Sequence, residues 1–144
     1  MTKGERQAYI LQLDDELLLG GVILSEWSTF LVRDADEAFC AGADLAAILI
    51  SQAAIECHLR YEYFPHDQRK FGFYDLIEQS PLAPELKTTL HTLRKYRNRW
   101  VHVNDPHDDQ DLLERPEYYQ AELEQTAIAA SRALREVIYL EQWL

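Results

Sequence analysis

The stretch Asp44–Phe64, DLAAILISQAAIECHLRYEYF, decides the fold. Leu45, Ile48, Leu49, Gln52, Ile55, Glu56 and Leu59 recur at three- and four-residue spacing, which lines up one buried face of a helix. Pro65 follows directly and closes it, because proline supplies no N–H to a continuing helix. A helix with so apolar a face needs other helices around it.

The flanks supply them. Upstream, Gly42 marks a junction, and Phe30, Leu31, Ala35, Ala38 and Phe39 repeat at helical spacing behind Ser25, which has the chemistry of an N-cap. Earlier still, a short helix fits Glu5–Leu19, with Gly20-Gly21 to end it. Downstream, the pattern predicts a short helix over Tyr74–Gln79, a turn through Pro81 and Pro84, and a helix over Glu85–Val101. Asn104-Asp105-Pro106 stops that helix, since the residue before proline is pushed out of helical geometry. Pro116 suits the first turn of a last helix running to about Trp143, with Leu123, Ala127, Ala130, Leu134 and Val137 as its stripe.

Composition agrees. The 144 residues include 21 Leu and 15 Ala against 5 Val and 8 Ile, with only 5 Gly and 5 Pro. Helix formers dominate and breakers are few, which excludes a β-sandwich or a doubly wound sheet. The expected architecture is all-α: an antiparallel bundle of about five to six helices in one domain over 1–144, with 1–24 as an N-terminal extension and 25–144 as the bundle. Cys40 and Cys57 have no CxxC or zinc-finger spacing and read as small buried thiols in a reducing compartment. The longest apolar runs fall far short of the ~20 residues of a membrane span, and no signal-peptide core opens the chain. A cytoplasmic protein with no membrane partner is expected.

The formal charge is −11, which disfavours non-specific binding along nucleic-acid backbones and leaves no expectation of DNA as a partner. The average conceals a local exception. Leu86–Asn104, LKTTLHTLRKYRNRWVHVN, holds Lys87, Arg94, Lys95, Arg97 and Arg99 and none of the 25 acidic residues. Lys87, Lys95 and Arg99 suit a solvated helix face or a helix C-terminus. Arg97 continues the stripe Leu86, Leu90, Leu93 and is therefore expected on the buried face, where a guanidinium needs a partner. Glu56 is the candidate: either a structural Arg–Glu pair bridges two helices, or the guanidinium is held for a phosphate.

His102 follows Arg97 by five residues, about 140° around a regular helix at ~100° per residue. The two share a small site only if the helix ends between them or a second copy supplies the other wall. Asn98, four residues before His102, lies on nearly the same face as it.

Arg97-Asn98-Arg99-Trp100-Val101-His102 reads R-N-x-x-x-H and resembles the R-x(4–6)-H signature of the HEPN superfamily of small helical domains. ADEAFCAGADLAAILISQAAIECHLRYEYF resembles the paired helices that precede the motif there, including the placement of Glu56. FGFYDLIEQSPLAPELKTTLHTLRKYRNRWVH resembles the short helix, turn and motif helix. The likeness spans about 26–104 plus the terminal helix.

The resemblance implies a metal-independent, cofactor-free endoribonuclease, a toxin, defence or RNA-processing component, acting as a homodimer whose motifs share one cleft. In that scheme His102 is the base for the ribose 2′-OH, Arg97 steadies the phosphate as charge builds, and Asn98 orients the nucleophile or the imidazole. Glu56 supports the site, and Arg94, Lys95 and Arg99 hold RNA phosphates. An antitoxin or other regulatory protein is a further expected partner. One branch of the superfamily carries a modifiable tyrosine two residues after the histidine; here that position is Asn104. The alternative is a non-catalytic module of the same fold, serving interaction, regulation or nucleotide binding.

Weaker groupings read as structure. His102, Asp105, His107, Asp108, Asp109 and Asp111 read as turn and capping chemistry rather than a metal loop. Tyr61, Tyr63, Phe64, Phe71, Phe73 and Tyr74 read as a packed corner. Asp14, Asp15 and Glu16 read as a solvated face.

Overall fold

The structure, a computed structural model, describes residues 1–67, 69 and 72–144. Among the described residues seven helices occur: α1 (Lys3–Leu17), α2 (Glu26–Cys40), α3 (Asp44–Tyr63), α4 (Phe73–Gln79), α5 (Pro84–Val101), α6 (Gln110–Glu114) and α7 (Pro116–Ile138). The fold is all-α, as composition and periodicity predict. The count exceeds five to six because α6, a single short turn of helix, carries no apolar period.

Local chemistry sets the starts. Thr2 and Glu5 form a reciprocal capping box on α1, and the Ser25 hydroxyl accepts from the Ser28 N–H at 3.1 Å to cap α2. Pro84 and Pro116 open α5 and α7. Gly42 links α2 to α3 at φ +79°, a conformation that costs glycine little. No helix is long and apolar enough to cross a membrane among the described residues.

α3 lies at the centre, packed on α2 and α7 and touched by α4 and α5. Its Ile48, Ile55 and Leu59 are fully buried with Leu76, Leu90 and Leu134 from the neighbouring helices. Phe39, Ala47 and Ile10 form a second cluster that takes in α1. The leading segment 1–24 thus contributes Arg6, Ile10 and Leu13 to the interior. Buried ion pairs hold it there. Arg6 Nη1 donates to Asp44 Oδ1 at 2.5 Å and to the Phe39 carbonyl at 2.9 Å. Arg135, 2% exposed, donates to Asp14 at 2.8 Å and to both oxygens of Asp36 at 2.9 and 2.7 Å.

Several sequence-based expectations need correction. Asp14 is not on a solvated face, being half-buried and also accepting from Tyr139 at 2.7 Å, whereas Asp15 and Glu16 are exposed as expected, Glu16 pairing with Arg132 at 2.7 Å. Both cysteines are half-buried rather than buried. α7 ends at Ile138, short of Trp143, because Trp143 pairs its backbone with Gly21 (N···O 2.8 and 3.0 Å). Gly20-Gly21 is therefore a packing site for the chain's last residues, not the cap of α1, which ends earlier at Leu17.

The aromatic corner is mixed. Phe73 is buried, Tyr63 and Phe64 pack against the core, and Tyr61 and Tyr74 stand exposed. Phe71 lies outside the described residues.

Candidate functional site at the end of helix α5

α5 is an amphipathic helix whose leucines face α3 and α7. Leu86, Leu90 and Leu93 are buried, and Gln52 of α3 ties the helix down by donating to the Leu93 carbonyl at 2.9 Å. Beyond Leu93 the same face carries Arg97. It is half-buried, not sealed in, with Cζ 5.7 Å from the centroid of the Phe73 ring.

The Arg97–Glu56 pair does not form. Glu56 accepts from Arg60 of its own helix at 3.0 Å. Among the described residues Arg97 makes no ion pair; its Nη2 donates to Asn98 Oδ1 at 3.3 Å, and its buried Nε has no acceptor. A planar cation with unused donors, stacked on an aromatic ring, is chemically suited to an anion. Asn98 shares in holding it.

His102 is the C-cap of α5 at φ −125° and ψ 59°, exposed, with its N–H bonded to the Asn98 carbonyl at 3.0 Å. The helix therefore runs one turn past Arg97 and ends at Val101, so His102 leaves the helical path. Of the two ways to bring Arg97 and His102 together, a helix end between them is present, yet within one protomer no hydrogen bond joins the two side chains among the described residues.

Arg94, Lys95 and Arg99 are dispersed. Arg94 lies over the Tyr74 ring (Cζ to centroid 5.2 Å), Lys95 is exposed, and Arg99 pairs with Glu122 of α7 at 3.3 Å. Lys87 donates to the Glu78 carbonyl at 2.7 Å.

One residue escaped the sequence reading. His91 shares a 2.6 Å bond between its Nε2 and Glu78 Oε1, and its Nδ1 accepts from Arg94 Nε at 3.3 Å. His91, Arg94, Asn98 and His102 stand at steps of three, four and four residues, one face of the helix. That spacing was visible in the sequence, but nothing marked Glu78 as its partner, since α4 and α5 meet only in three dimensions. The stripe flanks the leucine face about a third of a turn away and forms a half-buried polar ridge from His91 along the second half of α5 to its cap at His102.

Two further polar atoms near this end, Tyr96 Oη and Trp100 Nε1, are buried without a hydrogen-bond partner among the described residues. Burial raises the Tyr96 phenol above its usual range. No group of three or more His, Cys, Asp or Glu among the described residues is placed to hold a metal ion. No known family, curated protein or solved structure matches the chain.

Proposed function

We propose that the chain is a metal-independent endoribonuclease of HEPN type, with its active site where the α5 ends of two copies meet. The observation that carries the reading is Arg97: a half-buried guanidinium without a carboxylate partner among the described residues, steadied by Phe73 and Asn98, five residues from an exposed histidine. A cation left unpaired in a partly apolar place is costly unless a ligand completes it.

His102 takes the proton from a ribose 2′-OH, and that oxygen attacks the adjacent phosphorus. The bond to the 5′-oxygen breaks, giving a cyclic phosphate and a 5′-hydroxyl that leaves with a proton. Arg97 stabilises the charge gathering on the phosphoryl oxygens through its paired donors. The five-residue spacing sets Arg97 and His102 about 140° apart on a regular helix, a divergence that favours drawing the two groups of each site from different copies. Arg94, Lys95 and Arg99 supply the positive approach for RNA, and Glu56 acts only at a distance, through Arg60. A cytoplasmic toxin or defence role, restrained by an antitoxin or regulatory protein, follows from this activity.

The same divergence favours a second reading, a non-catalytic module that binds nucleotide or a partner through the α5 ridge. Cleavage of a labelled single-stranded RNA in the presence of chelator separates the two. The ribonuclease reading expects wild-type cleavage abolished in both Arg97→Ala and His102→Ala. Cleavage equal in all three proteins, or absent from the wild type, rejects it.

A further inference from the structure

Residues 101–118 are exposed without interruption, an arm that includes α6 and leads into α7. Its apolar members are not hidden: Val103 is 53% exposed and Leu113 68%, and Val101, Leu112 and Tyr118 are also open. The arm nevertheless holds a definite shape. Arg115 donates to both oxygens of Asp111 at 2.9 Å, Tyr119 donates to Asp111 as well, and Gln110 donates to Glu114 at 2.8 Å. Between arm and bundle lies an open cavity of about 240 Å³, walled by Arg99, Trp100, Val103, Leu112 and Tyr119. Shaped apolar surface left in water asks for a cover.

Charge says what covers it. Residues 86–104 carry five basic side chains and no acidic one, whereas 105–114 carry five acidic and no basic one. The two blocks are contiguous and meet beside His102. Within one chain they scarcely neutralise each other: Asp108, Asp109 and Lys95 form no ion pair among the described residues, and Arg99, though it pairs with Glu122 of α7, stays exposed at the other side of the boundary. A surface with a positive strip beside a negative strip matches itself when a copy is turned about a two-fold axis on the boundary, as an isologous interface requires.

We infer that the arm is a clasp for a second copy of this chain: Asp108 and Asp109 of one protomer lie against Lys95 and Arg99 of its partner, and Leu112 and Leu113 pack across the axis. The surface deepens the proposed dimer and rests on its need for a second copy, though not on its chemistry. Through it the two α5 ends, each carrying Arg97 and His102, are brought beside the axis.

The test is sedimentation equilibrium on the full chain. The wild type is expected to dimerise at low salt, with association weakened about tenfold or more in 1 M salt, where the screening length falls to ~3 Å. Leu112→Asp with Leu113→Asp is expected to give a monomer with an unchanged melting temperature. Asp108→Lys with Asp109→Lys, and Lys95→Glu with Arg99→Glu, each weaken the dimer, and combining all four restores it. A wild type that stays monomeric at every concentration overturns the clasp, as does a dimer indifferent to these changes but split by Trp27→Asp on α2. A monomer whose Lys95→Glu, Arg99→Glu form loses RNA binding also overturns it, with RNA as the occupant. A clasped dimer that cuts no RNA overturns the ribonuclease reading alone, and an RNA-cutting dimer indifferent to the arm overturns the clasp alone.

Discussion

Arg97 lies one turn inside the end of α5 and His102 caps that end, its N–H donating to the Asn98 carbonyl at 3.0 Å. Their environments differ. Arg97 rests over Phe73 with one nitrogen buried, while His102 stands in solvent.

That difference separates stability from chemistry. His102→Ala removes an exposed side chain and should leave the melting temperature within about 1 °C of wild type. Arg97→Ala removes the stack on Phe73 and should cost about 1 kcal/mol, while Arg97→Lys keeps the charge but not the planar fork. Thermal unfolding followed by circular dichroism reads the first effect, and chelator-resistant RNA cleavage reads the second. A melting temperature that drops more for His102→Ala than for Arg97→Ala contradicts the placement of both residues.

The Arg6–Asp44 pair offers a larger effect. Both partners are buried, and Asp44 holds the Arg6 guanidinium charged by accepting its hydrogen bond. Asp44→Ala leaves a buried cation with only the Phe39 carbonyl and the more distant Glu124 at 3.8 Å, at a cost of about 3 kcal/mol. Urea denaturation should show a large fall in midpoint, and replacing Arg6 and Asp44 together with apolar residues should recover much of it. A midpoint unchanged by Asp44→Ala means that α1 does not contribute to the core.

His58 gives a pH dependence with a definite sign. The side chain is buried, its Nδ1 has no hydrogen-bond partner among the described residues, and burial holds its pKa below the usual 6.5. The unfolded chain therefore binds the proton more tightly, so this histidine's contribution is intact above about pH 6.5 and is lost as pH falls below it. Stability should decline from pH 7 to pH 5, and His58→Leu should flatten that slope. An identical slope in the variant rules His58 out as its source.

Gly20 tests the closure of the two chain ends. A Cβ there would collide with the Trp143 carbonyl, in backbone that has no side chain to swing away. Gly20→Ala should cost about 1–3 kcal/mol and free the last residues, seen as faster amide exchange at Gly21 and Trp143. Unchanged exchange at both amides argues against the Gly21–Trp143 pairing.

Much of the bundle was legible because its signals are local. The stripe of Asp44–Phe64, the Ser25 cap and the prolines at 84 and 116 each act within a turn or two of chain, and the helices begin and end close to where those signals lie. Arg97 was marked as unusual by its place in the leucine stripe. Its partner was misjudged, because Glu56 has a competitor four residues away in Arg60, and an i,i+4 pair on one helix forms without bringing helices into register.

The all-helical class and the gathering of positive charge on α5 can be read from the residues alone, since both need only the order of residues along a helix. Which charges neutralise one another depends on packing. Asp14, expected on a solvated face, meets Arg135 of α7, Glu78 meets His91 across a helix corner, and Arg97 is left with Phe73. Ion pairing depends on distances of a few ångströms between residues remote in sequence, and the packing of the apolar core, indifferent to those charges, sets such distances.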